Sequence, residues 1–152
     1  MFFALLERRI EDRASQNLRA APDLAGADGL RALMRVARED AAAEPGWPHL
    51  LAEFRAIAMR DAELNRRHAE AHARTVAGIA SVLESLYQPI GLEPPVPVRS
   101  MAELMQAGAV GIALERPANP DALPDSDVEQ LVLRALGLLD MAVTSAEKGR
   151  RG

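Results

Sequence analysis

Proline and glycine punctuation cuts this 152-residue chain into six helix-length pieces. The breaks fall at Pro22, at Pro45-Gly46, around Pro89 and Gly91, through Pro94, Pro95 and Pro97, and at Pro117, Pro120 and Pro124. Proline removes a backbone donor and clashes with the preceding turn, so no long helix crosses these points. Between the breaks apolar residues recur at helical rather than alternating spacing. With five aromatic residues in the chain, a β-rich core is poorly supplied and a helical one is not. The spacing predicts an all-α fold, an antiparallel bundle of about six helices with short connections and one domain over residues 1–147. Residues 148–152 are expected to form a flexible tail.

The predicted helices are about 2–20, 29–43, 48–60, 62–87, 100–116 and 124–145. Asp28 and Asp61 are placed to cap the second and fourth. Ser100-x-x-Glu103 and Ser126-x-x-Glu129 read as capping boxes opening the fifth and sixth. The expected inward face of the second is Leu30, Leu33, Met34 and Ala37. That of the third is His49/Leu50, Phe54, Ile57 and Ala58. In the fourth, at 100° per residue, Leu64, His68, His72, Thr75, Val76, Ile79, Leu83 and Leu86 share one stripe.

Composition excludes several functions. The chain has no cysteine, which removes disulfides, thiolate metal sites and thiol catalysis. Its net charge is −4 and its arginines are dispersed, so it offers no electrostatic footprint for nucleic acid. The start lacks the basic and apolar regions of an export signal. The longest uncharged stretch, 104–114, is about half the ~20 residues of a membrane span. A cytoplasmic location is therefore expected, without membrane contact. No phosphate loop or catalytic triad can be assembled. His68 and His72 stand at i, i+4 with the sequence His-Ala-Glu-Ala-His, which is not the zincin pattern, and no third ligand is identifiable. Neither metal nor cofactor is expected, and no enzyme activity. The two histidines read instead as polar groups where an inward stripe leaves the core.

The last two helices are apolar on more than one face. Met101, Leu104, Met105, Gly108 and Ile112 form one side of the fifth, and Ala107, Val110, Gly111 and Leu114 another. Val128 to Val143 of the sixth is similar. A helix apolar all round must be covered all round. A second copy of the chain is the simplest cover, giving a four-helix interface that includes Gly108, Gly111, Leu131, Ala135, Leu138 and Ala142.

In their order these segments resemble the C-terminal ligand-binding and dimerisation part of TetR-family transcriptional repressors. Phe2-Phe-Ala-Leu-Leu-Glu-Arg-Arg-Ile10 is similar to the helix that follows the family's DNA-binding head. Trp47-x-x-Leu50-x-x-Glu53-Phe54 with Arg60-Asp61-Ala-Glu-Leu64 is similar to its paired middle helices. Met101-Ala-Glu-Leu-Met105 through Gly111-Ile-Ala-Leu114, then Asn119-Pro-Asp-Ala-Leu-Pro124, is similar to its penultimate helix and the turn beyond. The resemblance implies an effector-sensing homodimer that buries a small, mostly apolar ligand among the second to fifth helices. Met34, Phe54, Ile57, His72, Val76, Ile79 and Met105 are then expected as pocket walls, with His72 as polar anchor. DNA would be reached only through a helix-turn-helix of roughly 50 residues that this sequence does not contain. On this reading residues 1–20 are the linker from that head. The alternative is a stand-alone helical dimerisation protein.

Overall fold

The computed structural model describes residues 25–139 together with residues 4, 5, 8, 9 and 12. The described part of the chain is all helical. It contains α1 (Gly26–Ala43), α2 (Trp47–Ala58), α3 (Ala62–Tyr87), a 3-10 turn (Gln88–Ile90), α4 (Val98–Glu115) and α5 (Asp125–Ala135). Of the expected first helix, Ala4, Leu5, Arg8, Arg9 and Asp12 are described, and all five are helical.

The longest helix, α3, is the spine. Asp61 caps it as the sequence predicts: its carboxylate accepts from the amides of Glu63 and Leu64, both at 3.0 Å. At its other end the chain tightens into the 3-10 turn and stops at Gly91, which takes φ +63. The returning helix α4 packs against α3, α2 contacts both, and α1 lies against α3. The main core gathers Leu30 of α1, Val76, Leu83, Leu86 and Tyr87 of α3, Met101 and Ala102 of α4, and Leu133 of α5. A smaller cluster joins Phe54 and Ala58 of α2 to Trp47 and Leu64.

Four expectations change. Helix α1 starts at Gly26, so Asp28 lies in its first turn and pairs with Arg31 instead of capping. The inward stripe of α2 is rotated. Trp47, Leu51, Phe54 and Ala58 fall within about 60° of one another at 100° per residue, and the last three are buried while Ile57 is 55% exposed. The indole of Trp47, the largest side chain on the helix, sets that phase by packing into the Phe54 cluster.

Neither capping box forms. Helices α4 and α5 open after Pro97 and Pro124, before the serines, so Ser100 and Ser126 are already inside their helices. The two glutamates make tertiary contacts instead. Glu129 meets Arg31 at 3.4 Å and Arg38 at 3.5 Å, tying α5 to α1. Glu103 reaches His72 at 3.0 Å.

Helix α5 starts where expected but is shorter than the predicted 124–145. It ends at Ala135 because Gly137 adopts φ +68. The Gly137 amide then donates to the Arg134 carbonyl and the Leu138 amide to the Leu133 carbonyl, each at 3.0 Å. This pair of bonds with its Leu133–Leu138 apolar companion is the Schellman arrangement. It folds Leu138 into the core at 1% exposure. Tyr87 secures the same turn, its hydroxyl donating to the Leu136 carbonyl at 2.6 Å. Residues 140–145 lie outside the described residues.

Candidate functional site

Between α1, α2, α3 and α4 the bundle leaves a cavity of about 300 Å³. That is within the usual size of a small-molecule pocket. Helix α1 contributes Leu33, Met34 and Ala37, α2 contributes Leu51, α3 contributes Ile79 and Leu83, and α4 contributes Met105, Ala109 and Val110. These side chains give it a mostly apolar wall. The small residues Ala37, Gly78, Ala109 and Ala113 make the space, because four helices meeting at ordinary separation cannot close over side chains that short.

One side of the wall is polar. Arg55 comes from α2, and His68 and His72 are stacked one turn apart on α3 with ring centres 6.2 Å apart. The Arg55 Nε–H donates to His68 Nε2 at 3.2 Å. Its Nη2 lies 3.5 Å from His72 Nδ1. A guanidinium only donates, so both of those ring nitrogens act as acceptors. This fixes the two tautomers. His72 carries its proton on Nε2 and donates to Glu103 Oε2 at 3.0 Å. His68 carries its proton on Nδ1, which is buried and has no hydrogen-bond partner. An unmade bond of that kind costs about 1–3 kcal/mol.

Electrostatics support the same assignment. Burial, then the charge of Arg55 and then His72, hold the His68 pKa below its ordinary value. Burial also lowers the pKa of Arg55, although its charge survives, since an arginine remains protonated far above neutrality. The ring of Phe54 stands edge-on to His68 at 5.4 Å and backs this wall.

Of the residues expected in the pocket, Met34, His72, Ile79 and Met105 line the cavity. Three do not. Phe54 sits behind His68 in the smaller cluster, Val76 is in the main core, and Ile57 faces outward because the phase of α2 is rotated. Arg55 escaped the sequence reading. Its one signal was a charge beside the 47/51/54/58 stripe. A stripe phased on Leu50 and Ile57 lies farther from Arg55 than the observed one does.

Two acids also line the cavity, Asp40 and Glu44. Glu44 is ion-paired with Arg9, whose guanidinium also lies over the Trp47 ring, 5.8 Å from its centre. Arg9 thereby contacts the α1–α2 junction at two residues that line the cavity. Among the described residues no group of three or more His, Cys, Asp and Glu converges to hold a metal. Arg55, sitting against both imidazoles, would also set a positive charge where a metal on His68 and His72 would sit.

The residues expected between two copies are divided. Gly108, Leu131 and Ala135 are exposed, Gly111 is half-buried, and Leu131 has 59% of its surface open. Leu138 is a correction: the turn at Gly137 commits it to the protomer's own core. Ala142 lies outside the described residues.

Comparison with protein families places this helical chain among the C-terminal regulatory domains of transcriptional repressors. Within that class, the family model described as BetI-type transcriptional repressor, C-terminal, matches residues 26–140, and the chain belongs to that family. The match agrees with the TetR-type resemblance carried by the sequence motifs and spans every described helix from α1 to α5. No curated protein and no solved structure matches the chain. No helix among the described residues is long and apolar enough to cross a membrane.

Proposed function

We propose that this regulatory domain senses a small, mostly apolar effector in the cavity between α1, α2, α3 and α4, and that it acts as a homodimer without catalysing a reaction. The observation that carries the reading is the cavity itself. About 300 Å³ of space inside a bundle this size is more than packing defects leave, and its wall combines adaptable Met34 and Met105 with one polar cluster. Such a combination of apolar walls and a few convergent polar groups is typical of a ligand pocket.

The contact of Arg9 with Glu44 and Trp47 supports a route out of the pocket. A ligand that favours one position of these two lining residues favours one position of the first helix. Homodimerisation is supported by α4, where Leu104 is 71% exposed and Gly108 has open space around it. Contact with DNA would require a helix-turn-helix, which residues 25–139 do not supply.

A thermal-stability screen against small apolar compounds tests the sensing role. A ligand present at 100 times its dissociation constant adds about 2.7 kcal/mol. Saturating compounds of many shapes that leave the melting temperature unmoved would remove the sensing reading. Sedimentation tests assembly: a single species at the monomer mass of 16.4 kDa at micromolar concentration removes the homodimer.

A further inference from the structure

We propose that the effector is an organic acid: an apolar body carrying a carboxylate that is read by the free end of the Arg55 guanidinium. The inference rests on the cavity being the effector site and adds the charge of what enters it.

A guanidinium has five N–H donors in a planar fork. In Arg55 the side formed by Nε and Nη2 is used, one hydrogen toward His68 Nε2 and one toward His72 Nδ1. Three hydrogens remain, two on Nη1 and one on Nη2. They form the end of the fork, the edge that accepts a carboxylate through two parallel bonds. No carboxylate of the described residues is paired with Arg55, which is unusual for a half-buried cation. The cavity wall that Arg55 lines also contains acids. Each is otherwise engaged, Glu44 with Arg9 and Asp40 in an interaction of its own, and Glu103, which lies outside the wall, is bonded to His72.

The histidines fit the same purpose. They accept from Arg55 and so hold the plane of its fork without neutralising its charge. An acid in their place would cancel the charge and close the site. The His68 Nδ1–H is itself buried and takes no part in reading the ligand. At this side of the cavity the polar group with unused hydrogens is the cationic Arg55, while the acids of the wall, Asp40 and Glu44, are already engaged; that side is complementary to an oxygen anion with an apolar tail. His68 and His72 are positioning residues in this scheme, and Arg55 is the group that touches the ligand.

The test compares octanoate, octanol and octylamine, which share one chain and differ in head-group charge, by concentration-dependent thermal shift on the whole chain near neutral pH. Octanoate is expected to bind at least about tenfold more tightly than octanol, the factor equivalent to ~1.4 kcal/mol. Arg55→Met should bring octanoate down to the affinity of octanol while leaving octanol unchanged. Should Arg55→Met fail to fold, Arg55→Gln carries the same test while retaining a donor for the imidazoles. Equal binding of octanoate and octanol overturns the acid assignment and leaves the apolar effector site standing. So does a loss of octanol binding in the variant equal to that of octanoate. Tighter binding of octylamine overturns it in favour of a cation. If none of the three binds, the acid assignment and the effector reading fail together.

Discussion

His68 accepts the Arg55 Nε–H at 3.2 Å through Nε2, and this bond strands the other ring nitrogen, the buried Nδ1–H, without a partner. The neutral ring is therefore both required by Arg55 and incompletely satisfied. Only a neutral imidazole has a lone pair to accept with, so protonating His68 breaks the bond and places two cations side by side.

Stability should depend on pH through this ring. His68 titrates near 6.5 when unfolded and lower when folded. As pH falls through that window the unfolded chain takes up the proton first, so stability is lost on acidification and is fully present above 6.5. The urea midpoint is expected to fall between about pH 7.5 and pH 5, and His68→Gln, which keeps an acceptor for Arg55, should flatten that part of the profile. An unchanged slope in His68→Gln would show that other groups cause it.

Tyr87→Phe removes a single oxygen but leaves the Leu136 carbonyl without the donor that reaches it at 2.6 Å. Removing one partner of a buried hydrogen bond costs about 1–3 kcal/mol. Equilibrium urea unfolding should show a loss in that range with an unchanged slope. A loss near zero would mean that water replaces the hydroxyl.

Gly137→Ala introduces a Cβ at φ +68, where nothing crowds the new methyl but the backbone itself is strained. The left-handed conformation costs about 1–2 kcal/mol for a residue with a side chain. Gly108→Ala is the contrast, since Gly108 lies within α4 with open space around it. In the isolated protomer that substitution should stabilise by about 0.5–1 kcal/mol. Opposite signs in parallel thermal melts are the expected outcome, and equal destabilisation of both would falsify the assignment of Gly108 to uncrowded helix.

Charge placed on the exposed apolar positions tests the homodimer. Leu104 is 71% and Leu131 59% exposed, so Leu104→Glu and Leu131→Glu should leave the protomer folded. If a second copy covers them, each buries an unpaired carboxylate at the interface and dissociates the dimer. Sedimentation of the double variant is expected to give the 16.4 kDa species with unchanged helical circular dichroism. Leu138 is unsuitable for this purpose because a charge there would unfold the core.

The local part of this structure was legible in the sequence. Prolines and glycines located the breaks, Asp61 marked the start of α3, and the 3.6-residue period put His68 and His72 on the inward side of that helix. These features depend on a few neighbouring residues and on backbone geometry, which the order of residues determines directly. Family membership was also legible, because it lies in the order and spacing of the segments. The cavity side of α2 was not. A helix of 12 residues with apolar groups on several sides fits more than one phase, and only the packing of Trp47 against Phe54 chose between them. That choice turned Ile57 outward and brought Arg55 to the histidines. Glu103 and Glu129 show the same limit. Each satisfies a local capping pattern, yet each lies across from a basic or imidazole group of another helix, His72 in one case and Arg31 with Arg38 in the other. A charged side chain takes the strongest partner within reach, and reach across helices exists only after the chain has folded.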